Sequence, residues 1–483
     1  MKIRTFSLGN LNPIELGLVS TLFITGFAGV ILLPFYLYLF GAGIFWEYFG
    51  VLLCMMLIWS NHSFKLMRYA RRDKEIMSLP GYLSSRFGGT TDYIRVFSAM
   101  EILILSIVII AFMLKELGYI LVKIYGGNQN IISFIIIMLI AFEVGYFGMR
   151  GIAKSAPYKA VVLLLILVIL TSYMYFSVGI DQLVKNMMSI DITGSVSDYM
   201  NVLYHDGKFL TVQDYISLIS MGFLAAGTPF FLSTFFTVKK ARYIIRGRRI
   251  MMVFVVIEFI AAACFGGITR GYLYPARLTS SLSEYVSLLF DRLKESGSAG
   301  NSMAFLLIVL FVIGFLVTIE GTLHLCIVCV YEDILNKGRL VRLNRKKDRI
   351  NLLVCSIVIC IVIFLVNAYI KQLTLNAILV FIATLGCSMA PTVTLSLSWK
   401  RMNRYGCMAG LVTGMISVPV FKYATLFVHN EGRASLCDIL GVNSVLPSML
   451  ITLLVIVLVS LVTPQPEKEL IETLDNVRNR ISE

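Results

Sequence analysis

The chain has 483 residues, of which 58% are hydrophobic and only 14% are Asp, Glu, Lys or Arg, and its mean hydropathy is +0.83. A soluble domain carries about 25% charged residues, so the composition excludes a soluble globular protein. Apolar runs of about 20 residues also exclude a membrane β-barrel, whose strands alternate over about 10.

Twelve membrane-spanning helices are expected in chain order, near 13–40, 43–65, 94–124, 130–149, 156–180, 210–238, 249–274, 303–333, 350–371, 375–399, 406–428 and 445–464. The net charge of +14 would suit nucleic acid, but its placement argues against that partner. The basic clusters at Arg68, Arg71, Arg72 and Lys74, at Lys239 to Arg249, and at Arg339 to Arg349 all follow even-numbered spans. Positive charge gathers on the cytosolic side of membrane proteins. The charge therefore sets an orientation, with both termini cytosolic in a cell-membrane protein, and favours anionic lipid.

Two apolar stretches carry small, helix-weakening residues. The first, from Pro13 to Phe40, contains Thr25-Gly26-Phe27-Ala28-Gly29 and then Pro34; the second, from Leu210 to Val238, contains Ala225-Ala226-Gly227-Thr228-Pro229. In hydrocarbon, an unpaired backbone group costs several kcal/mol. A break is tolerated only where the freed groups face protein, water, an ion or a substrate. Interrupted helices in corresponding places of two halves point to the central site of a secondary transporter. Gly26, Ala28, Gly227, Thr228 and Phe230 are therefore the candidate substrate-binding residues.

Cysteine gives no disulfide framework, because eight of the nine lie in or beside apolar spans. Cys326 and Cys329 read as small apolar filler on a membrane helix rather than a metal or redox pair. No P-loop, nucleophile elbow or zinc-binding helix occurs in a supporting context. Neither ATP-driven transport nor an enzyme is expected, and no resident cofactor or metal. The tail from Gln465 to Glu483 reads as a frayed cytosolic helix.

More specific residues follow. Leu79-Pro80-Gly81-Tyr82-Leu83-Ser84-Ser85-Arg86-Phe87-Gly88 resembles the L-P-x-Y-x-x-x-R-F-G signature of the sodium/solute symporter family of proline, sugar, pantothenate and sialic acid carriers. Leu33-Pro34 with Tyr38 and Gly41, Gly227-Thr228-Pro229, Glu332-Asp333-Ile334, Trp399-Lys400-Arg401 and Leu461-Val462-Thr463-Pro464 resemble further family motifs in the same order. The family usually has an extra helix before the core, and this chain begins at the core. The resemblance implies an all-α membrane protein of the LeuT type with 5+5 inverted repeats and about 12 transmembrane helices. Its parts would be a cytosolic N-terminus at 1–12, repeats at 13–180 and 210–399, an extracytoplasmic loop at 181–209, two trailing helices at 400–464 and a cytosolic tail at 465–483.

The resemblance also implies a sodium site between the first and eighth spans. Carbonyls near Leu22 and Thr25 would supply one half. On the eighth span, the family's two neighbouring hydroxyls fall on Val317 and Thr318, so one ligand oxygen is lost at Val317. The family's W-T-D, in the loop entering the fifth span, reads Lys154-Ser155-Ala156, replacing an acid with a methyl group. Glu320 and His324, four apart on one helix, offer a proton-titratable pair instead. The expected function is alternating-access import of a small organic solute coupled to Na⁺. The alternatives are a proton-coupled or uncoupled carrier, and a transporter-like solute receptor or accessory subunit. Oligomeric state is not legible in the sequence.

Overall fold

The computed structural model describes residues 3–73, 76–88, 93–189, 199–205, 208–238, 240–275, 281–335, 345–370, 375–428 and 432–479. Lys74, Asp206, Lys239, Arg339 and Arg342 lie outside them. Among the described residues, eleven helices are long and apolar enough to cross a membrane, and a bent pair brings the total to twelve. In order they are Pro13–Phe40, Ala42–Asn61, Tyr93–Tyr125, Gln129–Phe147, Met149–Val178, the pair Val212–Gly227 and Pro229–Thr237, Ala241–Tyr272, Ser298–Leu335, Arg349–Tyr369, Leu375–Ser398, Arg404–Tyr423 and Val445–Val462.

Local chemistry starts these helices where they begin. Asn12 caps the first span through the amides of Ile14 and Glu15, Glu15 returns a bond to the Asn12 amide, and Pro13 fills the first turn. Thr211 and Asp214 form the same reciprocal cap on the sixth. Each such cap satisfies otherwise orphaned amides and contributes about 1 kcal/mol.

The first span is innermost. Its apolar stretch is 89% buried, against 28% for the fifth and twelfth, so the other spans shield it from lipid. It packs on the fifth, seventh and eighth spans, while the bend of the sixth packs on the second and tenth. Exposed apolar side chains such as Leu139, Phe142, Leu165, Val253, Ile260 and Leu454 lie on the outward faces of the outer helices. Bilayer hydrocarbon is the solvent that suits them.

The family-like motifs turn out to be contacts. Ser78 caps the short helix Leu79–Phe87, and its hydroxyl donates to Asp333 Oδ1 at 2.7 Å. Arg95 Nε lies 3.5 Å from the same carboxylate. Arg86 Nε donates to the Ser396 carbonyl at the end of the tenth span. Asn403 Nδ2 donates to Thr463 Oγ1 at 2.6 Å and to the Pro464 carbonyl, joining the eleventh span to the twelfth.

Three expectations are corrected here. The fifth span begins at Met149, so Lys154, Ser155 and Ala156 lie inside a helix rather than in a loop entering it. The eleventh span stops at Tyr423, and Thr425–Val428 pairs with Gly432–Ser435 as a β-hairpin. The C-terminal helix Lys468–Asn479 is docked rather than frayed. Leu474 is fully buried, Arg68 donates to the Val477 carbonyl, and Lys400 pairs with Asp475 at 2.8 Å.

Candidate functional site

The two interrupted helices differ. The sixth span is broken outright. Its helix tightens over Phe223–Gly227, Thr228 is extended at φ −72° and ψ 108°, and a new segment starts at Pro229 with a 48° bend. Proline disfavours a helical residue before it and offers no amide to continue the ladder. Glycine at 227 is required by space, since a Cβ there would sit 2.3 Å from the Gly386 carbonyl oxygen of the tenth span.

The first span is not broken. It widens into a π-helical turn over Ala28–Leu32, with the Leu33 amide donating to the Ala28 carbonyl, and then continues through Pro34. This corrects the expectation of an unwound backbone. The Thr25 carbonyl already accepts from the Ala28 amide. The Ala28 carbonyl also accepts from the Tyr48 hydroxyl at 2.9 Å. Such π-bulges often mark functional sites.

Between the two irregular turns lies a cavity of about 170 Å³. The first span contributes Phe23, Ile24, Phe27 and Ala28, and the second Glu47, Tyr48 and Val51; the sixth adds Leu224, Gly227 and Thr228. Thr318, Thr322 and Leu325 of the eighth span lie four and three residues apart and present one helical face to it. Its walls are mostly apolar. Glu47 is the one acidic residue among its described lining, and none of those described residues is Lys, Arg or His.

Of the residues expected to bind substrate, Ala28, Gly227 and Thr228 line this cavity. Gly26 and Phe230 do not. Gly26 lets the first and eighth spans approach, since a Cβ there would meet the Gly314 carbonyl at 3.3 Å and Val317 at 3.5 Å. Phe230 is buried, with its ring centroid 4.4 Å from that of Phe23.

The residues assigned to the ion by resemblance are also divided. Leu22 and Val317 line a second, small void of about 10 Å³, together with Phe23, Ala156, Phe230, Lys159 and Glu320. Thr318 faces the central cavity, and its buried hydroxyl has no hydrogen-bond partner among the described residues. Thr25 turns the other way and donates to Glu258 Oε2 of the seventh span at 2.6 Å.

At the small void, Lys159 Nζ lies 2.5 and 2.6 Å from the two carboxylate oxygens of Glu320. The Glu320 side chain is 3% exposed and that of Lys159 20%. His324 does not join them. Its Nε2 donates to the Phe6 carbonyl at 3.2 Å and its ring packs beside Phe6 and Phe230. The expected Glu320–His324 pair is thereby replaced by two separate contacts. Lys159 was missed by sequence reasoning, although a signal existed: it lies three residues after Ala156, on the same helical face. Glu47 was missed as well, since nothing in the sequence brings the start of the second span to the centre.

Residues 16–414 match the family model described as the sodium:solute symporter family. The chain belongs to that family, whose members are cation-coupled secondary transporters of small solutes rather than enzymes. It is 22% identical over 475 residues to the high-affinity proline transporter PutP of Bacillus subtilis strain 168, covering 97% of this chain and 91% of that one. It is 21% identical to sodium/proline symporter 2 of Staphylococcus saprophyticus, covering 93% and 85%. Among solved structures, a Na⁺-coupled sialic acid symporter in its substrate-bound, outward-open state superposes with a TM-score of 0.72 at 13% identity, over 97% of this chain and 94% of that one. Mhp1, a nucleobase-cation-symport-1 family transporter, superposes at 0.60 with 11% identity, over 97% of each chain. The fold is the LeuT type, and the protein is a multi-pass membrane transporter.

Proposed function

We propose that this chain imports a small organic solute with an apolar body through the cavity between the first, sixth and eighth spans, by alternating access. The carrying observation is the lining itself: apolar walls, two irregular helical turns, threonine hydroxyls and the single carboxylate of Glu47. Ligand sites of this kind are mostly apolar with a few placed polar groups that fix orientation. The relatives named for proline make proline and other small amino acids the first solutes to try. An anionic sugar such as sialic acid is disfavoured, because it would meet a carboxylate and no cationic side chain there.

Family membership implies Na⁺ as the coupling cation, and the ion would be cargo moved with the solute. Hard cations need oxygen ligands. The Val317 side chain supplies none, the Thr25 hydroxyl donates to Glu258, the void at Leu22 holds the Lys159 ammonium, and the Thr318 hydroxyl, unpartnered among the described residues, faces the solute cavity instead. The residues present therefore do not fit a sodium ion bridging the first and eighth spans.

The orientation proposed from the charge pattern puts both termini in the cytosol, with repeats at 13–180 and 210–399. In a cysteine-free background, a cysteine replacing Asp73 should then label from the cytosolic side and one replacing Glu295 from the opposite side. The transport reading is tested by uptake of radiolabelled proline, other amino acids, amines and carboxylates into proteoliposomes. Accumulation of an amino acid or amine supports it. Accumulation of carboxylate sugars alone, or of no solute, would sink it.

A further inference from the structure

We propose that the ammonium of Lys159, held on Glu320 between the fifth and eighth spans, is a built-in cation standing in the place that family resemblance assigns to sodium, so that this chain needs no Na⁺ there. The inference rests on the carrier reading only for the identity of the ion it replaces.

Four observations meet at this place. Two of the residues assigned to the ion by resemblance, Leu22 and Val317, line the void, and so does Ala156, where the family has its exit acid. By the resemblance, Val317 stands where the family has a ligand hydroxyl and Ala156 where it has an acid. Lys159 lies one helical turn beyond Ala156 and reaches the same space, and both oxygens of Glu320 accept from its Nζ. All other described lining atoms belong to aliphatic or aromatic side chains or their backbone. A position without the family's ligand oxygen, a position without its acid and an added cation thus coincide in one void of about 10 Å³.

Electrostatics makes the exchange close to one for one. A buried carboxylate needs a compensating charge or a proton, and removing either member of a buried ion pair is strongly destabilising. Lys159 supplies that charge to Glu320 from within the chain. A second cation about 4 Å from Nζ, at an effective dielectric of about 20, would bind about 10³-fold more weakly from repulsion alone. The geometry differs in one respect from a bound ion. Sodium would bridge the first and eighth spans and leave with the solute, whereas Lys159 bridges the fifth and eighth and stays with the protein.

The test uses the purified full chain in detergent. Binding of radiolabelled Na⁺ is measured by scintillation proximity, and Tm is compared in NaCl and choline chloride at equal ionic strength. The wild type is expected to show no saturable Na⁺ binding and the same Tm in both salts. Lys159→Ala leaves the Glu320 carboxylate facing the vacated space, so it should gain saturable Na⁺ binding and a Na⁺-specific rise in Tm. Both gains should disappear in Lys159→Ala/Glu320→Gln. Saturable Na⁺ binding by the wild type overturns the proposal, and so does a folded Lys159→Ala variant indifferent to Na⁺. Should Lys159→Ala fail to fold, Val317→Ser serves instead. It restores an oxygen but keeps the ion pair, so it should remain silent to Na⁺, and a Na⁺ response from it overturns the proposal. None of these measurements needs a solute, so this inference and the carrier reading can fail separately.

Discussion

The central cavity and the small void beside it share the first, sixth and eighth spans but differ in chemistry, and only the void draws on the fifth. The cavity of about 170 Å³ keeps what a solute carrier requires: a broken sixth span, a widened first span, apolar walls and hydroxyls on one face of the eighth. The void of about 10 Å³ has aliphatic and aromatic walls and an internal ion pair in place of ligand oxygens. Both share Phe23, and the faces of the eighth span that meet them are adjacent: Thr318 and Thr322 on one, Val317 and Glu320 on the other. On the proposal made above, a membrane scaffold keeps its solute chamber while the neighbouring charge site changes. The positions concerned are Ala156 and Lys159 on the fifth span and Val317 on the eighth.

The largest effect is expected at the helix break of the sixth span. Gly227→Leu is expected to reduce solute uptake to background while the protein still reaches the membrane, because even a Cβ at this position lies 2.3 Å from the Gly386 carbonyl. Uptake and surface abundance measured together check this. Normal uptake would mean that the break does not shape the chamber.

The next largest effect concerns the void. Lys159→Met leaves Glu320 buried without a partner and should cost about 3–5 kcal/mol, as breaking buried pairs usually does. Removing both charges in Lys159→Met/Glu320→Gln should recover most of that loss. Thermal unfolding of the four proteins forms a double-mutant cycle. An additive result would show that the pair is not coupled.

A smaller effect sharpens the reading of the cavity. Glu47→Gln should weaken binding of amines and amino acids about tenfold, or about 1.4 kcal/mol, and leave uncharged solutes unchanged. Competition against a transported label checks it, and equal effects on both classes would remove Glu47 from recognition. Comparable in size, but confined to stability, is the effect of Ser78→Ala, at a residue that lines neither space. It removes a helix cap and the hydrogen bond to Asp333, so about 1–2 kcal/mol of stability should be lost with Na⁺ behaviour unaltered.

Much of this architecture was legible in the chain. Twelve apolar runs and their loop charges define the spans, and Gly227-Thr228-Pro229 marks a break whose cause is local, since proline removes an amide and constrains its predecessor. The motif around Leu79-Pro80-Gly81-Tyr82 and the motif Glu332-Asp333-Ile334 were legible as words but not as partners. They are about 250 residues apart, and only packing joins Ser78 to Asp333 at 2.7 Å. The first span was misjudged. Thr25-Gly26-Phe27-Ala28-Gly29 is weak in helix propensity, yet a π-turn keeps its backbone hydrogen-bonded inside the protein.

The sequence by itself determined the membrane class, the number of spans, the family and the absence of an oxygen at Val317. These follow from composition, hydrophobic run length and residue identity, which need no knowledge of what lies opposite. Only the tertiary structure decided which buried charges meet. Glu320 and His324 share a helix, but Glu320 is met by Lys159 of the fifth span and His324 by the Phe6 carbonyl. A charge inside a membrane protein is stabilised only by a partner within a few ångströms. Which group comes that close is set by helix packing, not by distance along the chain.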